Sequence, residues 1–205
     1  MSSFVRTPPD ENNFVISFTQ NPKDDFGAFA KGYSLAANRL AELLLAAPRF
    51  SDYEAYPVVF LYRHAFELSL KHTIYSSARL AALQFCDGTD AGLQNSHDLQ
   101  LLSRVTCMLL GRLFPTDASL RLISERIATI STDWSGIDPR SDGYRYPINT
   151  RGNASTTPHQ VLNLAALHEQ MSSLLEEMDT IHFGLGIETG AAEEAYRALQ
   201  SLISI

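Results

Sequence analysis

Arg63, Glu67 and Lys71 stand four residues apart in turn, with His64 beside the first and His72 beside the last. On a helix, positions i, i+4 and i+8 fall along one side. That side would hold two cations with a carboxylate between them. The arrangement fits either of two chemistries. In one, the three charges form an ion-pair ladder, worth only ~0.2–0.5 kcal/mol per pair where it is solvent-exposed. In the other, Arg63 and Lys71 hold a phosphate while His64, oriented by Glu67, moves a proton. Arg145 and Tyr146 are the second set, in a segment that also contains Arg140, Tyr144 and Arg151. Arginine and tyrosine together suit stacking on bases and pairing with phosphates.

The first set sits in PVVFLYRHAFELSLKHTIY, residues 57–75, which is otherwise apolar. Apolar residues surround most of its circumference, so residues 57–83 are expected to be the most buried helix. Buried polar groups are costly unless paired, so this helix must carry a paired network or a site.

Helices flank it on both sides. Residues 24–47 carry Phe26, Phe29, Tyr33, Leu40 and Leu43 at helical steps, with Asp24 or Asp25 at the start and Pro48 at the end. Ser96 is expected to cap a helix over residues 97–113, and Thr116 or Asp117 one ending at Ile130. Thr157 and Pro158 suit the start of a helix to Leu185, whose Leu164, Leu167, Met171, Leu174, Met178, Ile181 and Leu185 form a heptad seam. The seam would pack on the buried helix within one bundle; the alternative is a homodimer interface. Gly186 or Gly190 is expected to break that helix, leaving a short final one over residues 191–204. Residues 131–157, with three glycines and two prolines, read as a long irregular loop. Residues 144–148 are expected to pair as a strand with residues 13–18.

These elements predict an all-α, up-and-down bundle of five to six helices with a minor two-stranded β element. The 205 residues divide into an N-terminal arm, residues 1–20, and one helical domain, residues 21–205. The formal net charge of −7 argues against a surface that is basic all round. There is no signal-peptide pattern and no apolar run of the roughly 18–20 residues a span needs, so no membrane association and a cytoplasmic location are expected. Cys86 and Cys107 match no metal spacing, and His159, His168 and His182 do not stand at i, i+4. No metal and no cofactor are expected. The nucleotide-binding glycine motifs and the hydrolase serine motif are absent.

The helix FLYRHAFELSLKHTI, followed by a loop and a helix opening at His97-Asp98-Leu99, resembles the HEPN superfamily of small helical domains. The segment DPRSDGYRYP, residues 138–147, is similar to one in a poorly characterised bacterial group of that superfamily. The resemblance implies a bundle that is often a homodimer. It also implies work on RNA or nucleotides, or with a partner protein, in bacterial stress, toxin–antitoxin or phage-defence settings. Many members are metal-independent ribonucleases marked by an arginine followed, after four to six residues, by a histidine. No arginine here has a histidine at that spacing: eight residues separate Arg63 from His72, and seven separate Arg151 from His159. The expectation is a HEPN-like binding or interaction module using Arg63, His64, Glu67, Lys71, Arg145 and Tyr146. The alternative is a metal-independent ribonuclease in which His64 and Arg63 are catalytic.

Overall fold

The computed structural model describes residues 25–46, 52–85, 95–139, 141, 143–149, 151–156 and 161–203. They form an all-α bundle of five helices: α1 (Phe26–Ala46), α2 (Tyr56–Phe85), α3 (Leu99–Leu113), α4 (Ala118–Ile137) and α5 (Leu164–Ile203). A single 3-10 turn, Asp52–Ala55, leads into α2. The arm at residues 1–20, Cys86, His159 and the Thr157–Pro158 helix start lie outside the described residues.

Helix α2 is central, packing on α1, α3 and α5. Val58, Val59, Tyr62, Phe66, Leu70 and Ile74 are buried on it, and they point to several sides. Apolar residues over most of its circumference leave little face for water, so other helices pack around it. The heptad seam of α5 is spent inside the chain. Met171, Leu174 and Met178 join the main core with Phe66 and Leu70. Ile181 and Leu185 join Leu80 and Leu110 in a second cluster.

Several expected boundaries are corrected. Asp98, not Ser96, caps α3: its carboxylate accepts from the amides of Gln100 and Leu101 at 2.9 and 3.0 Å. The helix therefore starts at Leu99, and His97 lies ahead of it. Asp117 caps α4 as expected. The expected end at Ile130 is seven residues early, because the stripe Ile127, Ile130, Trp134 continues and Trp134 is buried. The serines and threonines there do not break the helix. Thr132 and Ser135 donate to carbonyls four residues back, at 3.0 and 2.8 Å. The irregular region thus begins at Asp138, not at residue 131.

Helix α5 starts at Leu164, where Asn163 accepts from the Ala166 amide at 3.0 Å. It then runs unbroken through Gly186 and Gly190. Each glycine costs ~1 kcal/mol against alanine. Burial of Leu185 and Thr189 and the ion pair of Glu193 with Arg79 on α2 outweigh that cost. The six-helix option therefore reduces to five. Tyr144–Ile148 forms no strand; Ile148 makes an isolated bridge to Ala154. The partner expected for it at residues 13–18 lies outside the described residues. No described helix is long and apolar enough to cross a membrane.

Candidate functional site

Adjacent residues on an α-helix diverge by ~100°, so Arg63 and His64 leave α2 on different sides. Their surroundings differ accordingly.

Arg63, Glu67 and Lys71 have relative exposures of 0, 1 and 3%. Glu67 is the hinge of a polar network. Its Oε2 accepts from Arg63 Nη1, and its Oε1 from Lys71 Nζ, each at 2.9 Å. His97 Nδ1 lies 2.9 Å from the same Oε1. A carboxylate only accepts, so this nitrogen of His97 carries the hydrogen. The remaining Arg63 donors are also engaged. Nε donates to the Asp138 carbonyl at 2.9 Å and Nη2 to the His97 carbonyl at 3.0 Å.

Asp138, just past α4, is buried and supplies the fourth charge. Its Oδ2 lies 3.4 Å from Arg63 Nε. Its Oδ1 accepts from the Gly143 amide at 3.1 Å. A Cβ at Gly143 would come within 3.2 Å of that oxygen and 3.3 Å of the Ser155 carbonyl, so glycine allows this close turn. Two cations and two carboxylates therefore meet in one buried cluster, and their formal charges cancel. Burial alone would raise the Glu67 carboxyl's pKa. The Lys71 hydrogen bond and charge, with His97 and Arg63, hold it below the usual range.

His64 occupies another environment. It is half-buried, stacked on Phe60 at 5.4 Å and edge-on to Tyr33 of α1 at 4.5 Å. Phe60 and His64 are one turn apart on α2, which places both on the same side. Arg145 lies over the Phe60 ring at 5.5 Å and over its neighbour Tyr146 at 5.1 Å. Arg145 and Tyr146 are exposed, and Arg145 Nη2 donates to the Tyr146 hydroxyl at 3.3 Å. Burial, first of all, lowers the His64 pKa; Glu67 opposes this, while Lys71, Arg145 and Arg63 add to it. At neutral pH the imidazole is uncharged beside an exposed guanidinium.

The six sequence-predicted residues thus fall into two groups. Arg63, Glu67 and Lys71 form the buried cluster; His64, Arg145 and Tyr146 lie together at the surface with Phe60. Sequence reasoning gave Asp138 no role. The imbalance was a usable signal, since two cations and one carboxylate on a buried face require a second anion.

Two more polar contacts went unread. Tyr62 donates to Asn38 Oδ1 at 2.7 Å and lies 2.5 Å from His168 Nδ1; burial, then Glu42, raises its pKa. His72 and His182 meet edge to face at 4.4 Å. The His182 pKa is pushed down to about 3 by burial and by His72. No group of three or more His, Cys, Asp or Glu side chains placed to hold a metal occurs among the described residues. Compared with known proteins, the chain matches no family model, no curated protein and no solved structure.

Proposed function

We propose that the chain is a HEPN-like helical binding module that takes RNA or a nucleotide at the His64–Phe60–Arg145–Tyr146 surface. The observation that carries this reading is the exposed Arg145 guanidinium, stacked over two aromatic rings. Cation and rings together offer a phosphate partner and a flat face for a base. Net charge does not oppose it, because recognition needs only a local cation. Arg63, Glu67 and Lys71 act here as structure, since every Arg63 donor group already has a protein acceptor.

The ribonuclease alternative rests on one observation, an imidazole held neutral beside a cation. Neutral His64 could accept a proton from a ribose hydroxyl while Arg145 faces the phosphate. Arg63, named for that role from the sequence, points into the buried cluster instead.

Fluorescence anisotropy with a labelled single-stranded RNA 12-mer at low salt tests the binding reading. Arg145→Ala or Tyr146→Ala should weaken binding roughly 5- to 150-fold, given ~1–3 kcal/mol per stacked base. No RNA or nucleotide binding, or binding that ignores both substitutions, overturns it. Cleavage of the same RNA in EDTA, abolished by His64→Ala, would establish the enzyme instead.

A further inference from the structure

We propose that a groove between the start of α4 and the middle of α5 receives a basic amphipathic helix of a partner protein. This site is independent of the Arg145 surface. The groove encloses about 440 Å³. Phe114, Leu120, Ile123, Ile181, Leu185 and Ile187 give it an apolar floor. Phe183, one turn before Ile187, extends the apolar surface and is 73% exposed. Helix α4 packs mainly on α3 and only lightly on α5, which leaves the cleft open.

The charged side chains that line it are all acidic. Asp117, Glu177 and Glu188 line the groove, and no lysine or arginine does. Arg126 answers Glu177 from α4; the other arginine on that helix, Arg121, is outside the lining. Along α5 there are seven carboxylate side chains and one arginine. An apolar floor with an acidic rim complements a helix with apolar anchors flanked by lysines or arginines.

The dimensions agree. From Glu177 to Glu188 the wall covers about three turns, or ~16 Å, enough for anchors spaced at i, i+3 or i+4, and i+7. Gly184 lines the wall, and a Cβ there would meet nothing within 4 Å. Mid-helix glycine is destabilising against alanine, and no neighbour within the fold requires it. The room it leaves faces the groove. A second copy fits poorly, because a two-fold contact would set the same acidic rim against itself. The acidic rim equally disfavours nucleic acid.

The probe is a fluorescein-labelled 14-residue peptide of leucine and lysine in an amphipathic helical pattern, titrated with the full chain. Its counterpart carries glutamate for lysine. The lysine peptide should bind at least tenfold tighter. Gly184→Trp, which fills the groove without altering charge, should weaken it at least tenfold, with thermal unfolding followed in parallel. Glu188→Lys, at an exposed position, should also weaken it and covers the case in which the tryptophan disturbs folding. Equal binding of both peptides, no binding of the lysine peptide, or binding unaffected by both substitutions overturns the proposal. So does a dimer in sedimentation equilibrium that Gly184→Trp dissociates, which would make the occupant a second copy.

Discussion

Replacing Glu67 with glutamine removes one charge and almost no volume from the centre of α2. The carboxylate accepts from Arg63, Lys71 and His97. The amide keeps one acceptor oxygen and turns a donor toward a cation. Arg63 and Lys71 are then left with Asp138 alone as counter-charge, at positions that water hardly reaches. Breaking a buried pair from one side typically costs ~3–5 kcal/mol. In a chain of this size each kcal/mol lowers Tm by about 2–4 °C, so a drop of roughly 6–20 °C is expected. Circular dichroism at 222 nm during heating, with urea titration for the free energy, measures it. A quadruple variant, Arg63→Met/Glu67→Leu/Lys71→Met/Asp138→Asn, removes all four charges and should recover most of the loss, because apolar replacements of whole buried networks are often neutral or better. The asparagine still offers an oxygen to the Gly143 amide. The carboxyl's depressed pKa sets the pH window. Its stabilisation is present above the ordinary value of 4.5 and is lost as pH falls below that toward the lower folded value. Glu67→Gln should therefore cost less in acid than at pH 7. A loss under about 1 kcal/mol at pH 7, or one that does not shrink in acid, would refute the account of a tightly coupled cluster.

His182 gives a separate acid dependence. Between pH 6.5 and about 3 the unfolded chain takes up a proton that the folded imidazole refuses. Stability should then fall with decreasing pH by up to ~1.4 kcal/mol per unit, and His182→Gln should flatten that slope between pH 6.5 and 4.5 in urea titrations. Gly186→Ala should raise stability by ~0.5–1 kcal/mol, since the position is exposed on a helix and a Cβ there meets nothing within 4 Å; a decrease in Tm would count against the continuous α5.

The central helix was legible because apolar residues cover most of its circumference, and the α5 seam because its heptads persist. Boundaries failed where a residue's local preference lost to packing. Ser131, Thr132 and Ser135 look like loop residues, yet Trp134 among them needs the core and holds the helix together. Gly186 and Gly190 look like breaks, yet Leu185 and Thr189, each just ahead of one of them, are buried. Ser96 looks like the better cap, yet His97 is drawn out of the helix by its bonds to Glu67 and Arg63. These last contacts join residues about thirty positions apart, beyond any local pattern. The grouping of Arg63 with His64 failed for a geometric reason: neighbours in sequence are not neighbours on a helix face.

The buried cluster and the exposed surface are mechanically one arrangement. Arg63 bonds to the carbonyls of His97 and Asp138, so a single guanidinium ties α2 to the entry of α3 and the exit of α4. Asp138 then holds the Gly143 amide, two residues before Arg145. The turn between them includes Ser141, buried and at φ 65°, a left-handed conformation that a serine adopts at some cost. The cluster thus holds Asp138 and, through it, Gly143. Ionic groups suit this task better than apolar ones, because hydrogen bonds fix direction as well as distance. A chain that only needed a stable core could have used leucine at these positions. On the binding reading proposed above, an exposed arginine held beside His64 is a reason for the chain to retain a buried ion cluster.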